Sequence, residues 1–307
     1  MRYHDLLIVP YGGLILSHTI ILFNPNAGNG GAQNAAQALQ KKLGDAELFD
    51  MTHFYGYDAL FSSLSPQDPI VLVGGDGTLN RFINDTQSLS IKNPIYYCAA
   101  GSGNDFLHDL DIEKGGEPVQ LNEYLADLPT VTVNGKSYRF LNGVGYGIDG
   151  YCCEVGDKMR ADGKTNINYA GIAIRGLLFH YRPTHAIVTV DGKRYDFNRV
   201  WLAPAMNGRF YGGGMMVTPE QKRLGDGSLS VCIMYGSGKL KTLAVFPSIF
   251  KGEHVKHTEM VKVLTGHEIR VEFDRPTALQ IDGETILGVT SYTVRSANEK
   301  RKAVAAG

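Results

Sequence analysis

The sequence predicts an α/β N-terminal domain built on a mainly parallel sheet, followed by a mostly antiparallel β-sandwich-like domain. Up to about residue 129, short apolar runs that end in glycine turns alternate with segments of helical periodicity. That alternation is the signature of a parallel sheet covered by helices. From residue 130 onward, period-two segments are joined by Asn-Gly and Asp-Gly, the strongest short hairpin signal. At 307 residues the chain is also long for one core and suits two domains. The expected limits are 1–129 and 130–307, with the last residues returning to the first domain.

The elements follow in order. Residues 1–16 read as a leader or extra edge segment, because Pro10, Gly12 and Gly13 interrupt an apolar stretch too broken to span a membrane. HTIILF (18–23) is a buried strand, and GAQNAAQALQKKL (31–43) carries Ala35, Ala36, Leu39 and Leu43 at helical spacing. PIVLV (69–73) is a short, continuous apolar strand. It is followed by a helix over 78–85, with Leu79, Phe82 and Ile83 on one face and Thr78 as its cap. PIYYCAA (94–100) and NDFLHDL (104–110) repeat the pattern. Hairpins are expected at 130–140, 186–197 and 279–287, and helical stretches near 166–180 and 239–251.

Composition narrows the function. A balance of 30 lysines and arginines against 31 aspartates and glutamates gives a net charge of −1, which argues against a nucleic-acid partner. Cys98, Cys152, Cys153 and Cys232 show no Cys-x-x-Cys spacing, which suits a reducing cytoplasm rather than a zinc site or disulfide framework.

Three turns carry the chemistry. NPNAGNGG (24–31), GGDGTLN (74–80) and GSGND (101–105) each follow a predicted strand. In an open parallel sheet, ligands bind outside the carboxyl ends of the strands. Glycine there lets backbone N–H groups approach an anion, and a helix N-terminus adds a favourable dipole. Thr78 and Ser102 supply hydroxyls, and Asn24, Asn80 and Asn104 supply amides. Any one turn is explained as a tight connection; three on one rim point to a nucleotide-phosphate site. Asp76 would repel that phosphate unless it faces a metal, orders a water or takes a proton, and the bland alternative is an Asx turn. Neither the P-loop nor the GxGxxG pattern is present.

Taken together, these residues resemble the diacylglycerol kinase and sphingosine kinase family of lipid kinases. The resemblance rests on NPNAG, GGDGTLN and GSGNDF, then FLNGVGYGIDG (140–150), NGRFYGGGMMVTPEQKRLGDGSLSV (207–231), FKGEHVKH (250–257) and LQIDGE (279–284), in that order. It implies a Rossmann-like ATP-binding domain, a β-sandwich lipid domain, and an ATP- and Mg²⁺-dependent transfer to a lipid hydroxyl in the cleft between them. It further implies nucleotide contacts from Asn24, Thr52, Gly74, Gly75, Asp76, Gly77, Thr78, Asn80 and Ser102. A Mg²⁺ site is implied at Asp226, with main-chain carbonyls of Arg223 and Ser228. The general base implied is Glu284, although Asp76 competes for that role, and Asp282-Gly283 is explained as a turn alone. Three positions depart from the family pattern: Arg81 where an acidic residue is usual, Ser102 for threonine, and Gly150 for alanine.

A lipid kinase meets its substrate at a membrane surface, so peripheral contact at the inner face is expected. Residues 238–256 mix Leu240, Leu243, Ala244, Phe246 and Phe250 with Lys239, Lys241, Lys251 and Lys256. The mix suits an interfacial segment, but Pro247 favours a helix packed on the β domain. Residues 167–182 suit either an acyl pocket or core. The alternatives are an NAD kinase-like enzyme and a non-catalytic nucleotide- or lipid-binding member of the fold.

Overall fold

The computed structural model describes residues 18–101, 104–164 and 167–297. The predicted leader and the returning C-terminal residues lie outside these. The first layer system contains β1 (Thr19–Phe23), α1 (Gly31–Leu43), β2 (Ala46–Asp50), α2 (Tyr57–Ser63) and β3 (Ile70–Gly74). It continues with α3 (Asp76–Asp85), β4 (Ile95–Ala99), α4 (Asp105–Asp109), β5 (Val119–Gln120) and α5 (Asn122–Ala126).

Its sheet runs β2-β1-β3-β4-β5, with the first four strands parallel and β5 antiparallel. The four buried residues Ile70–Val73 explain why 69–73 reads as a continuous apolar run: helices cover both faces. Ala32, Ala36 and Leu39 of α1 pack with Ile21, Val71 and Val73. Leu79, Phe82 and Ile83 of α3 pack with Ile20, Leu22 and Leu72 on the opposite face. Because β2 and β3 flank β1 on opposite sides, the strand order reverses there and opens a crevice at the carboxyl edge.

The second system begins with β6 (Thr130–Val133), β7 (Lys136–Arg139), β8 (Gly143–Tyr146), α6 (Ile148–Ala161) and α7 (Tyr169–Arg175). There follow β9 (Thr184–Val190), β10 (Lys193–Val200), β11 (Ala205–Met206), β12 (Phe210–Tyr211), β13 (Met215–Met216) and β14 (Leu229–Met234). It closes with α8 (Lys239–Val245), β15 (Val261–Gly266), β16 (Glu268–Ile281) and β17 (Glu284–Arg295). All three predicted hairpins form. Their turns place Asn134-Gly135, Asp191-Gly192 and Asp282-Gly283 at positive φ, the left-handed pair that a two-residue type I′ turn requires.

β16 makes this half a sandwich. Its first part pairs with β9 and its last part with β8, and its register breaks between Glu272 and Thr277, around Pro276. A proline cannot donate to the ladder, so it sits at an irregularity where the strand passes from one leaf to the other. Val188, Phe197, Val231, Val271, Leu279 and Val294 fill the space between the leaves.

Candidate active site

The first sheet delivers its three glycine turns to one edge. Phe23 lies beside Val73, and Gly74 beside Ala99, so the chain leaves β1, β3 and β4 at the same level. Asn24 N–H donates to the Val73 carbonyl, and the N–H groups of Ala100 and Gly101 both donate to that of Gly74. The glycines differ in purpose. A Cβ on Gly74 would meet Thr78 Oγ1 at 2.1 Å, so this glycine serves packing. Gly77 has nothing within 4 Å of where its Cβ would be, and its φ is ordinary. Glycine in a helix costs about 1 kcal/mol relative to alanine, and no contact with a described residue accounts for it. Space left open at a helix N-terminus is what an arriving anion needs.

The helix after this turn starts earlier than its apolar spacing predicts. α3 begins at Asp76 with Gly75 as N-cap, and Thr78 is not the cap but the third helical residue, its Oγ1 accepting the Gly75 N–H at 3.3 Å. A glycine-rich start hides a helix boundary because it carries no apolar periodicity.

Asp76 therefore lies in the first turn of α3, half-buried against α4. Its carboxylate accepts the N–H groups of Asp105 (2.8 Å) and Phe106 (3.2 Å). Burial, reinforced by the neighbouring Asp105 charge, pushes its pKa up to about 7. The Asp105 carboxylate in turn accepts the N–H groups of Gly213 (2.8 Å) and Gly214 (2.6 Å), in the turn between β12 and β13. Burial raises its pKa too.

The second domain reaches back through Asp282. Its carboxylate accepts three successive N–H groups, from Leu141 (2.6 Å), Asn142 and Gly143 (2.9 Å each), and Asn80 Nδ2 of α3 at 3.0 Å. Even so, its burial leaves the pKa raised. Asp109 completes the frame by receiving Arg209 Nε (3.0 Å) and Arg223 Nε (2.7 Å), while Arg223 also donates to Asn142 Oδ1 and stacks over Phe106. Three carboxylates of elevated pKa, Asp105 buried and Asp76 and Asp282 half-buried, thus meet where the two domains touch.

Sequence comparison agrees with this architecture. The diacylglycerol kinase catalytic domain matches residues 18–134, and the YegS C-terminal NAD kinase beta sandwich-like domain matches residues 142–298. The chain belongs to the diacylglycerol kinase family. A diacylglycerol kinase of Mycobacterium tuberculosis is 27% identical over 78% of this chain and 80% of its own length. One of Bacillus subtilis is 25% identical over 86% and 88%. The fold matches that of a diacylglycerol kinase from Bacillus anthracis str. Sterne, with a TM-score of 0.58 and 18% identity over 91% and 93% of the chains.

In this family member the expected residues divide into groups. Asn24, Gly74, Gly75, Asp76, Gly77, Thr78 and Asn80 gather at the sheet edge. Ser102 lies outside the described residues. Thr52 follows β2, its hydroxyl donating to Asp50 (2.6 Å) and its carbonyl accepting Arg81 Nη2 (3.3 Å). Arg81 also pairs with Asp85, so it lies along α3. Glu284 starts β17, exposed, two residues after the anchored Asp282. Asp226 is exposed, and hydrogen bonds from the Ser228 side chain and from its N–H (3.0 Å) hold its carboxyl below the usual range. The Ser228 carbonyl accepts Gln221 Nε2 (2.8 Å), and the Arg223 guanidinium is committed to Asp109. Among the described residues, no three His, Cys, Asp or Glu side chains converge as a metal cage.

Sequence reasoning missed several participants. Asp282 is more than a turn former, because it ties α3 to the second domain. Asp105 ends the GSGND motif beside Asn104, and an acidic residue in a turn expected to hold phosphate was the available signal. Gly150 replaces the family's alanine for a steric reason: a Cβ there would lie 1.9 Å from the Ala278 carbonyl oxygen.

Proposed function

We propose that the chain transfers the γ-phosphoryl group of ATP to a lipid hydroxyl, with diacylglycerol or a related lipid as acceptor. The observation that carries this reading is the meeting of Asp76, Asp105 and Asp282 at the domain junction, beside three aligned glycine turns. Backbone N–H groups at the start of α3, with room left at Gly77, bind and orient the phosphates. Asp76, with a pKa of about 7, is suited to accept the proton of the attacking hydroxyl near neutral pH. Glu284, exposed at the start of β17, is the competing acceptor. Asp282 orients Glu284's turn against α3.

Magnesium fits this donor set. It is usually held by one or two carboxylates together with substrate phosphates rather than by an all-protein cage. Carboxylates of raised pKa gain most from such a cation, and Asp76 and Asp105 would hold it beside the nucleotide; bound there, it would supply neutralisation of the phosphate charge, lower the Asp76 pKa and leave proton acceptance to Glu284. A second site at Asp226, with the carbonyls of Arg223 and Ser228, would be structural.

The test is transfer of labelled γ-phosphate from ATP to a panel of lipid alcohols in mixed micelles, with NAD as a parallel acceptor and Asp76→Ala as control. Label entering a lipid, and lost in the variant, is the expected result. Label entering NAD instead, or ATP binding without transfer to any acceptor, would overturn the proposal.

A further inference from the structure

Three large apolar side chains of the second domain stand in solvent on adjoining elements: Ile174 (46% exposed), Phe179 (72%) and Leu240 (79%). α7 carries Ile174 and passes into a wide π-turn, Gly176–His180, closed by a Tyr181 N–H to Gly176 carbonyl bond at 2.7 Å. Such turns cost hydrogen-bond geometry and are found mostly at functional positions. This one leaves Leu177 buried and Phe179 outside. α8 lies alongside, for Lys239 Nζ donates to the Leu178 carbonyl at 2.8 Å. Phe179 and Leu240 are the next residues after the two joined by that bond.

The packed reading of 239–251 accounts for only part of that segment. Thr242, Val245, Phe246 and Ile249 are buried, as a helix on the β domain requires, whereas Leu240 is not. Cations lie close to the apolar tip. Arg175 and Arg182 line the openings beside His180, and Lys239 is tied to Leu178; none of the three makes an ion pair with a described residue. The nearby carboxylates are largely spoken for: Glu154 pairs with Lys158 at 2.6 Å, and Glu259 with Lys241 at 2.8 Å. Asp274 and Arg275 both lie within electrostatic reach of Tyr181, with Arg275 over its ring, so their opposite charges meet there. His180 and Tyr151 line two cavities of about 570 and 410 Å³ that open beside this tip.

We propose that this tip, Ile174, Phe179 and Leu240 ringed by Arg175, Arg182 and Lys239, docks on a lipid bilayer bearing anionic headgroups. Exposed aromatic and aliphatic side chains enter the acyl boundary while the ring of cations meets the headgroups. An anionic bilayer matches both the apolar centre and the unpaired cations, and a bilayer is where a lipid acceptor resides. The proposal deepens the lipid-acceptor reading and rests on it for its purpose. It also gives a protein of net charge −1 a local means of membrane attraction.

The experiment is co-sedimentation of the full chain with phosphatidylcholine vesicles, with and without phosphatidylglycerol, alongside phosphate transfer to a short-chain diacylglycerol in free solution. The variants are Phe179→Ser with Leu240→Ser, and Arg175→Gln with Arg182→Gln. Tyr55→Ser is the control, an exposed aromatic on the first domain. Thermal melts show that each variant folds. Wild type is expected on phosphatidylglycerol vesicles. The apolar pair should lower partitioning by about tenfold or more, and the arginine pair should remove the preference for anionic vesicles. Transfer to the dissolved acceptor should persist in both. Wild type that stays off every vesicle, or variants that bind as wild type does, would overturn the docking face. Vesicle binding without transfer to any lipid would leave the docking face standing and remove the kinase reading instead.

Discussion

Asp76→Asn should make the protein more stable at pH 8 while abolishing phosphate transfer. The fold raises the Asp76 pKa from the ordinary 3.8 to about 7. At 1.36 kcal/mol per pKa unit, keeping this side chain ionised inside the folded protein costs about 4 kcal/mol. The sign follows from proton binding. Between pH 4 and pH 7 the folded state holds the proton and the unfolded state does not, so this group's contribution to stability falls as pH rises. Asparagine removes the charge but keeps only one of the two oxygens that accept the Asp105 and Phe106 N–H groups. Losing one such bond costs about 1 kcal/mol or somewhat more. The net gain at pH 8 is therefore about 2–3 kcal/mol. At pH 5 the wild-type penalty has shrunk to about 1.6 kcal/mol by the same conversion, and the gain nearly vanishes. Urea unfolding at pH 5 and pH 8 measures the difference, and turnover on the accepted lipid should fall at least about a hundredfold. A variant less stable than wild type at pH 8, with the same pH dependence, would show that burial of charge does not govern this site.

Other perturbations probe the frame around it. Asp282→Asn turns one acceptor oxygen into a donor facing amide groups; two of its four contacts are lost, at about 1.5–3 kcal/mol each for a charged acceptor. Relief of the buried charge offsets part of this, and a lowered denaturant midpoint together with weaker turnover is expected; an unchanged midpoint and rate would refute the positioning role. His254 is fully buried, donates to the Val217 carbonyl at 2.9 Å, and has its pKa lowered to about 4 by burial. Its unfolded form takes a proton that the fold refuses, so about 3 kcal/mol of stability should be lost as pH falls from 6.5 to 4. His254→Gln should flatten that part of the stability profile, and a profile unchanged by the substitution counts against the assignment. Gly150→Ala should destabilise by several kcal/mol through overlap with the Ala278 carbonyl, and a melt within a degree of wild type would refute that.

Sequence reading succeeded where a local rule governs the outcome. The left-handed turns at Asn134, Asp191 and Asp282 follow from the Asn-Gly and Asp-Gly dipeptides, and the strand Ile70–Gly74 from an unbroken apolar run. The carboxyl-edge location of the glycine turns follows from alternation of strand and helix alone. What stayed hidden depends on residues distant in the chain. Nothing local to Asp282 announces that its carboxylate will meet N–H groups some 140 positions away, or Asn80 at a separation of 202. The short β5 and α5 were missed because two strand residues and five helical ones carry too little periodicity to register. The start of α3 at Asp76 was obscured because glycine does not advertise a helix.

The two domains grip each other in good part by aspartate side chains of the first and main-chain amides of the second: Asp105 with Gly213 and Gly214, and Asp109 with the Arg209 N–H, beside the Asn80–Asp282 side-chain bond. An amide proton is supplied by almost any residue. The halves can therefore change the side chains they present across the cleft while the angle between them is kept, provided the aspartates and the backbone path persist. Pocket lining and phosphate seat are free to diverge on separate schedules, as two tools mounted on one fixed jig.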